Sequence, residues 1–223
     1  MGVLLELDNL KRLLEGLGVT LFIAFSSIII SLILGAFMGA LMAFGSKAIQ
    51  VFCRVYLEVV RIIPLLAWLF IVYFGLANLL DLHISAILAS IIVFSVWGIA
   101  EMMDLTRGAL ISINSHQIES ALALGLEKRS IVFRIIFPQA FLSLLPACLN
   151  LLTRMIKTTA LVSLIGAIDL LKVGQQIIEI NLLRMPNASF LVYGVILMIY
   201  FALCYSLSLY SIHLEKKYQH IRG

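Results

Sequence analysis

Along this chain, apolar residues come in long runs broken by short polar punctuation. A bilayer-spanning helix needs about 20 mostly apolar residues. Five runs reach that length: Gly18 to Gly45, Val55 to Leu80, His83 to Ile113, Ala140 to Ile168 and Ala188 to Ile212. None of the connections is long enough to hold a water-soluble domain. The pattern therefore predicts an all-α integral membrane protein of five transmembrane helices, with residues 1–223 forming a single transmembrane domain. The opening residues mix Glu6, Asp8 and Glu15 with Lys11 and Arg12, unlike the basic start of a cleavable signal, and predict a short amphipathic segment on the membrane surface. Between the fourth and fifth runs, Asp169 to Pro186 is mixed in polarity. It reads either as an external amphipathic helix ending near Pro186 or as a plain surface connector.

Composition agrees with a membrane chain: 62% hydrophobic, 13% charged, mean hydropathy +1.10, against about 25% charge in soluble domains. The net charge of +4 is scattered between apolar runs and so bears on topology, not on nucleic acid. Lys47, Arg54 and Arg61 follow the first span, Arg107, Lys128, Arg129 and Arg134 the third, and Lys216, Lys217 and Arg222 close the chain; the alternate side is poorer in cations. The cation-rich side is the cytoplasmic one, which predicts an outside N-terminus and a cytoplasmic C-terminus. Cys53, Cys148 and Cys204 are widely separated and read as buried apolar filler. His83, His116, His213 and His220 share no metal-ligand spacing, so no metal site is expected.

One cytoplasmic connection stands out: "ESALALGLEKRSIVFRIIFPQ", Glu119 to Gln139. Ser115 to Leu124 has the composition of a short helix. Gly125 is placed to end it in a left-handed conformation. A second helix is expected over Glu127 to Phe137, with Pro138 marking the return to the membrane. The result is a helix–glycine–helix elbow over about residues 115–138; a bare re-entry loop is the plainer reading. The spacing Glu119-Ser120-Ala121, three residues, Gly125, nine residues, Ile135, then Phe137-Pro138 resembles the EAA signature of ABC-importer permease subunits, with Ser120 in place of Ala and Phe137 in place of Leu. The resemblance runs from about Gly16 to Lys217 and is to permeases of the polar amino acid (histidine/glutamine/arginine) type. "EVVRIIPLLAWLFIVYFGL" (Glu58 to Leu76), "DLTRGAL" (Asp104 to Leu110) and "KTTALVSLIGAIDLL" (Lys157 to Leu171) are similar to three of that family's motifs.

The resemblance implies a type I ABC importer permease fold, paired with a second permease subunit, identical or paralogous, to form the pathway. It implies ATPase coupling through Glu119, Ser120, Ala121, Gly125, Ile135 and Pro138. It also implies two further partners: a cytoplasmic ATPase dimer, which binds ATP and Mg, and an extracytoplasmic substrate-binding protein. The bacterial inner membrane is the expected location. The chain itself has no G-x-x-x-x-G-K-[ST] phosphate loop, so it is read as a transport subunit and not an enzyme, with no cofactor of its own.

Charges inside spans are costly and need a reason. Glu58 and Arg61 are three apart and able to pair locally, or Glu58 could hold a substrate ammonium or steady the inner gate. Pro64 frees a backbone carbonyl that could bend the helix or line the pathway. Asp104 and Arg107 form a second local pair. Glu101 faces the pathway or pairs with Arg154 or Lys157 of the fourth span. Thr158, Thr159 and Ser163 either bond to carbonyls one turn back or, for Ser163, approach the constriction between subunits. Gly35 and Gly39 read as a close-packing seam. The substrate-pathway candidates are thus Glu58, Arg61, Pro64, Glu101, Lys157, Thr159 and Ser163. Where the family has Gly-Thr before its proline, Ile62 and Ile63 stand here, and Thr158 stands where an acid is common, so the polar lining is thinner. The alternative function is a self-contained channel or secondary transporter for small polar solutes. No internal repeat is evident to favour it, and no nucleophile–base set supports a membrane enzyme.

Overall fold

A computed structural model describes residues 7–76, 79, 81, 83–181 and 186–219. Glu6, Leu80, Arg184, His220 and Arg222 lie outside the described residues. All regular structure described is helical: α1 Leu7–Phe44, α2 Lys47–Ile62, α3 Leu65–Phe70 running into a π-helical turn Ile71–Leu76, α4 Ala86–Ile111, α5 Ser115–Ala123, α6 Lys128–Ile131, α7 Phe137–Thr158, α8 Leu170–Asn181 and α9 Ala188–Gln219. A π turn, Val132–Ile136, joins α6 to α7, and a 3₁₀ helix, Thr159–Ile165, extends α7. Four stretches are long and apolar enough to cross a membrane, Asp8–Phe44, Ala86–Ile111, Lys128–Ile165 and Ala188–Tyr218. A fifth arises if α2 and α3 are counted as one bent span.

Three expectations are revised. The opening residues are not a separate surface segment; from Leu7 they are the first turns of α1. Gly16 and Gly18 fall within these turns, and a helix tolerates them at a modest cost. The second hydrophobic run is not one straight helix from Val55 but two, bent by 94° at Ile63–Pro64. Pro64 has φ −56° and ψ 138° and supplies no N–H to α2. Pro138, expected to close the second elbow helix, is instead carried inside a continuous one: Phe137 is helical at φ −60°, ψ −47°. The π turn just before it widens the helix where the proline ring would meet the carbonyl of Arg134.

The chain divides into two units. One gathers Met1–Ile29, Ile63–Ser95 and Leu152–Ser206. Its core is the apolar face of α8 (Leu170, Val173, Ile177, Ile178) packed on Leu13 of α1 and on Val192 and Ile196 of α9. The mixed stretch after the fourth run is therefore a packed helix, and its polar positions are also engaged: Arg12 donates to Gln176 at 2.7 Å. Two glycines permit the close approach. A Cβ on Gly16 would stand 2.9 Å from Val173 Cγ2 and 3.0 Å from the Asp169 carbonyl, and one on Gly174 would collide with Ile196.

The other unit gathers Ile30–Ile62, Val96–Leu151 and Leu207–Gly223. Here α2 buries Cys53, Leu57 and Val60 against Met42 of α1 and Ala100 and Met103 of α4. Gly35 and Gly39 form the expected seam: a Cβ would lie 2.6 Å from Met102 Cβ at the first and 2.5 Å from Thr106 Cβ at the second. The three cysteines are free, with Cys53 and Cys204 buried.

Candidate functional site

The elbow is built by its caps. Asn114 ends the preceding turn and its Oδ1 accepts from the His116 N–H at 3.0 Å, starting α5. At the other end Gly125 has φ 77°. Its N–H donates to Leu122 O at 2.9 Å, and the Leu126 N–H donates to Ala121 O at 3.1 Å. That pair of bonds is a Schellman closure, which satisfies the last carbonyls of the helix. A Cβ on Gly125 would meet nothing within 4 Å. Glycine is required there by the dihedral, not by space.

The motif residues divide by face. Ala121 is 3% exposed and anchors the elbow among Ala109, Leu110, Ile131, Ile136 and Ala140, with Ile135 packed alongside. Glu119, Ser120, Gly125 and Pro138 face outward. Gln139 donates to Gln117 at 2.8 Å, tying α5 to the base of α7. Two outward apolar residues were not singled out from the sequence: Leu124, 82% exposed, and Phe133, 62% exposed with Arg129 over its ring at 6.0 Å. Their signal was available, because apolar residues on the open side of a capped elbow have no core to enter. Beside the elbow lies a cavity of about 420 Å³ whose polar lining includes Asn114, Gln117, Gln139, Ser143, Asn150 and Glu215.

The charges of the spans are arranged differently from the local pairing expected. Arg61 turns from Glu58 to α4: its Nε donates to Glu101 at 2.8 Å and its Nη2 to Asp104 at 3.0 Å. Asp104 also accepts from Arg107 at 3.1 Å, the local pair that was expected. Glu58 is exposed. Helix α2 buries Cys53, Leu57 and Val60, so Arg61 stands at the margin of the buried face and Glu58, on the same side, lies one step further out toward the exposed surface. Lys157 is exposed on α7. The hydroxyls of Thr158, Thr159 and Ser163 bond back to Arg154 O, Ile156 O and Ala160 O at 2.7, 2.7 and 2.8 Å. Thr159 and Ser163 are buried. The short α3 beyond Pro64 packs against the 3₁₀ helix that carries both. Two interrupted helices therefore adjoin, an arrangement that leaves main-chain groups outside the regular ladder. Among the described residues no three His, Cys, Asp or Glu side chains gather as metal ligands.

Residues 31–220 match the family described as "Binding-protein-dependent transport system inner membrane component". The chain belongs to this family. It is a permease, a membrane-spanning transport subunit. Among proteins similar to this permease, "Probable amino-acid ABC transporter permease protein YckA" of Bacillus subtilis (strain 168) is 29% identical over 97% of this chain and 93% of that protein. "Arginine transport system permease protein ArtQ" of the same organism is 32% identical over 76% of this permease and 78% of that one. A solved structure described as "an amino acid ABC transporter with histidines" superposes with a TM-score of 0.85 at 27% identity, covering 94% of this chain and 95% of that one. The inward-facing MetNI methionine ABC transporter shares the fold, with a TM-score of 0.76 at 18% identity over 96% of this permease and all of that chain.

Proposed function

We propose that this permease forms, with a second permease subunit, the pathway of an ATP-driven importer of a polar amino acid. The observation that carries this reading is the elbow: an exposed, glycine-closed turn held rigidly to two spans by a buried alanine. Its outward face, Glu119, Ser120, Gly125 and Pro138 with Leu124 and Phe133, is the docking surface for a cytoplasmic ATPase dimer. Ala121 and Ile135 transmit its movement to α4 and α7 from the inside. ATP and Mg are bound by that partner, and an extracytoplasmic binding protein delivers the substrate. The amino acid class is supported by two relatives named as amino-acid permeases, one of them for arginine, at 29% and 32% identity.

In this reading the elbow and the C-terminus are cytoplasmic and the N-terminus lies outside, as the Lys and Arg distribution supports. The pathway is lined from the α2–α3 break at Pro64 and from α7 with its 3₁₀ extension, which carries Lys157, Thr159 and Ser163. The Arg61–Glu101–Asp104–Arg107 network steadies α2 on α4 near the inner end. Glu58 remains exposed beside Arg61 on α2. A charge as exposed as Lys157 on a membrane-spanning helix favours a water-filled path or a partner over lipid.

Co-purification tests the docking. Glu119→Lys is expected to release the ATPase while the permease still inserts. Full retention of ATPase and transport would defeat the proposal. Labelling of Glu127–Arg134 from outside intact cells would defeat the orientation.

A further inference from the structure

The cavity beside the elbow has no task in the coupling scheme. All of its lining belongs to one unit, the one that holds α2, α4 and the elbow. Helix α4 stops at Ile111 and Asn114 restarts the chain as α5, so the two do not continue one rod. The space is lined by that junction, by the early turns of α7 and by the last turns of α9. Where α7 meets α9, the Pro146 carbonyl accepts from the Ser211 hydroxyl at 3.0 Å, a buried bond that fixes two of the walls to each other. A volume of about 420 Å³ falls among small-molecule pockets, which run from roughly 300 to 1,000 Å³.

The polar groups of the lining fall into two sets. Some are spent within the protein. The Ser112 and Ser143 hydroxyls donate to Ala109 O and Ala140 O at 3.0 and 2.9 Å, and Asn114 Oδ1 accepts from the His116 N–H. The others are open. The Gln139–Gln117 bond leaves the Gln117 amide nitrogen and the Gln139 amide oxygen unused. Asn150 and Glu215 form no hydrogen bond or ion pair among the described residues. Glu215 is the one carboxylate of the lining, and no Lys, Arg or His joins it there. Lys217, two residues along α9, is directed to the Tyr218 ring, 5.8 Å from its centroid. A carboxylate faced only by neutral groups favours a cation, and the amides on the other walls supply donors and acceptors to the rest of a ligand. An anion would meet the charge of Glu215 with nothing to offset it.

We propose that this cavity binds a small organic ammonium from the cytoplasm. The ammonium donates to Glu215 of α9, and the body of the ligand bonds to Gln117 of α5 and to Gln139 and Asn150 of α7. A ligand held in this way bridges α9 to the elbow and damps the elbow's movement. The binding itself rests on geometry within one unit; cytoplasmic access and the effect on transport rest on the importer reading. Free amino acids and plain amines both carry the ammonium.

Ligand-observed NMR of the permease in lipid nanodiscs, with and without its ATPase, tests the site with L-lysine and cadaverine, which differ by one carboxylate. Tighter lysine identifies an amino acid, its carboxylate taken by the amide nitrogens; tighter cadaverine identifies a plain amine. Glu215→Gln should weaken binding about 10–100-fold, the loss of a hydrogen bond to a charged group, and Gln117→Ala about 2–10-fold. No binding of either probe, or undiminished binding in Glu215→Gln, overturns the proposal. So does binding that disappears when the ATPase is added, which would make the cavity part of that interface. With one fixed receptor, the bound probe added on the ATPase side should lower ATP turnover in the wild type and not in Glu215→Gln. Binding without that difference overturns the damping and leaves the importer reading intact. A permease that recruits no ATPase yet binds the probe through Glu215 defeats the importer reading and not the site.

Discussion

Replacing Gly125 separates backbone geometry from surface chemistry. The position has φ 77° and open space around it, since no atom lies within 4 Å of a built Cβ. Any cost in the isolated permease is therefore conformational. For alanine, holding the left-handed region costs about 1–2 kcal/mol. Asparagine tolerates that region best among residues with a side chain. Valine, β-branched, tolerates it least. If the elbow must be closed to dock, the cost appears as weaker ATPase binding, by a factor of about 5–30 for Gly125→Ala, less for Asn and more for Val. The melting temperature of the permease alone should hardly move, because the two bonds made by the Gly125 and Leu126 N–H groups are local and exposed. The assay is titration of ATPase onto permease in lipid nanodiscs, with thermal melts in parallel. The order Gly, Asn, Ala, Val is the signature. Equal loss in all three variants would mean that a side chain clashes with the partner, and equal retention would mean that docking does not need the closed turn. Either result refutes the dihedral argument.

Three further outcomes are expected. Burial raises the native titration of Asp169 from 3.8 to about 6, so the native state binds the proton more tightly than the unfolded chain and stability falls as pH rises across that window. Asp169→Asn should therefore be more stable than wild type above about pH 7, by up to about 3 kcal/mol, with the gain vanishing below about pH 4 in thermal melts. Gly39→Ala should destabilise by about 1–3 kcal/mol, because its Cβ would stand 2.6 Å from the Met103 carbonyl. Gly18→Ala, with nothing within 4 Å, should be neutral or gain up to about 1 kcal/mol, and the difference in melting temperature checks both. Arg61→Ala removes the cation 2.8 Å from Glu101 and should cost about 1–3 kcal/mol. Glu101→Gln in the same chain should recover part of that loss, and a double-mutant cycle showing no coupling would sink the pairing.

The helical class, the apolar runs and the elbow were legible because each is written in local pattern: run length, the left-handed glycine, the cap and the motif spacing. Pro64 and Pro138 show the limit of such signals. Both remove the same N–H, yet one breaks the chain into two helices and the other is absorbed by a π turn. The choice depends on whether the neighbouring turn can widen. Asp169 could be recognised as a helix start, but not as buried.

The sequence by itself determined that the chain is built of membrane-spanning helices and that a glycine-closed elbow interrupts them, since these follow from hydrophobicity and dihedral preference read along a few neighbouring residues. Tertiary structure alone decided that Arg61 takes Glu101 and Asp104 in place of Glu58, that Ala121 points inward while Glu119 points out, and that Asp169 is buried. Partner choice and burial depend on which helix faces meet, and that is set by packing between segments far apart in the chain.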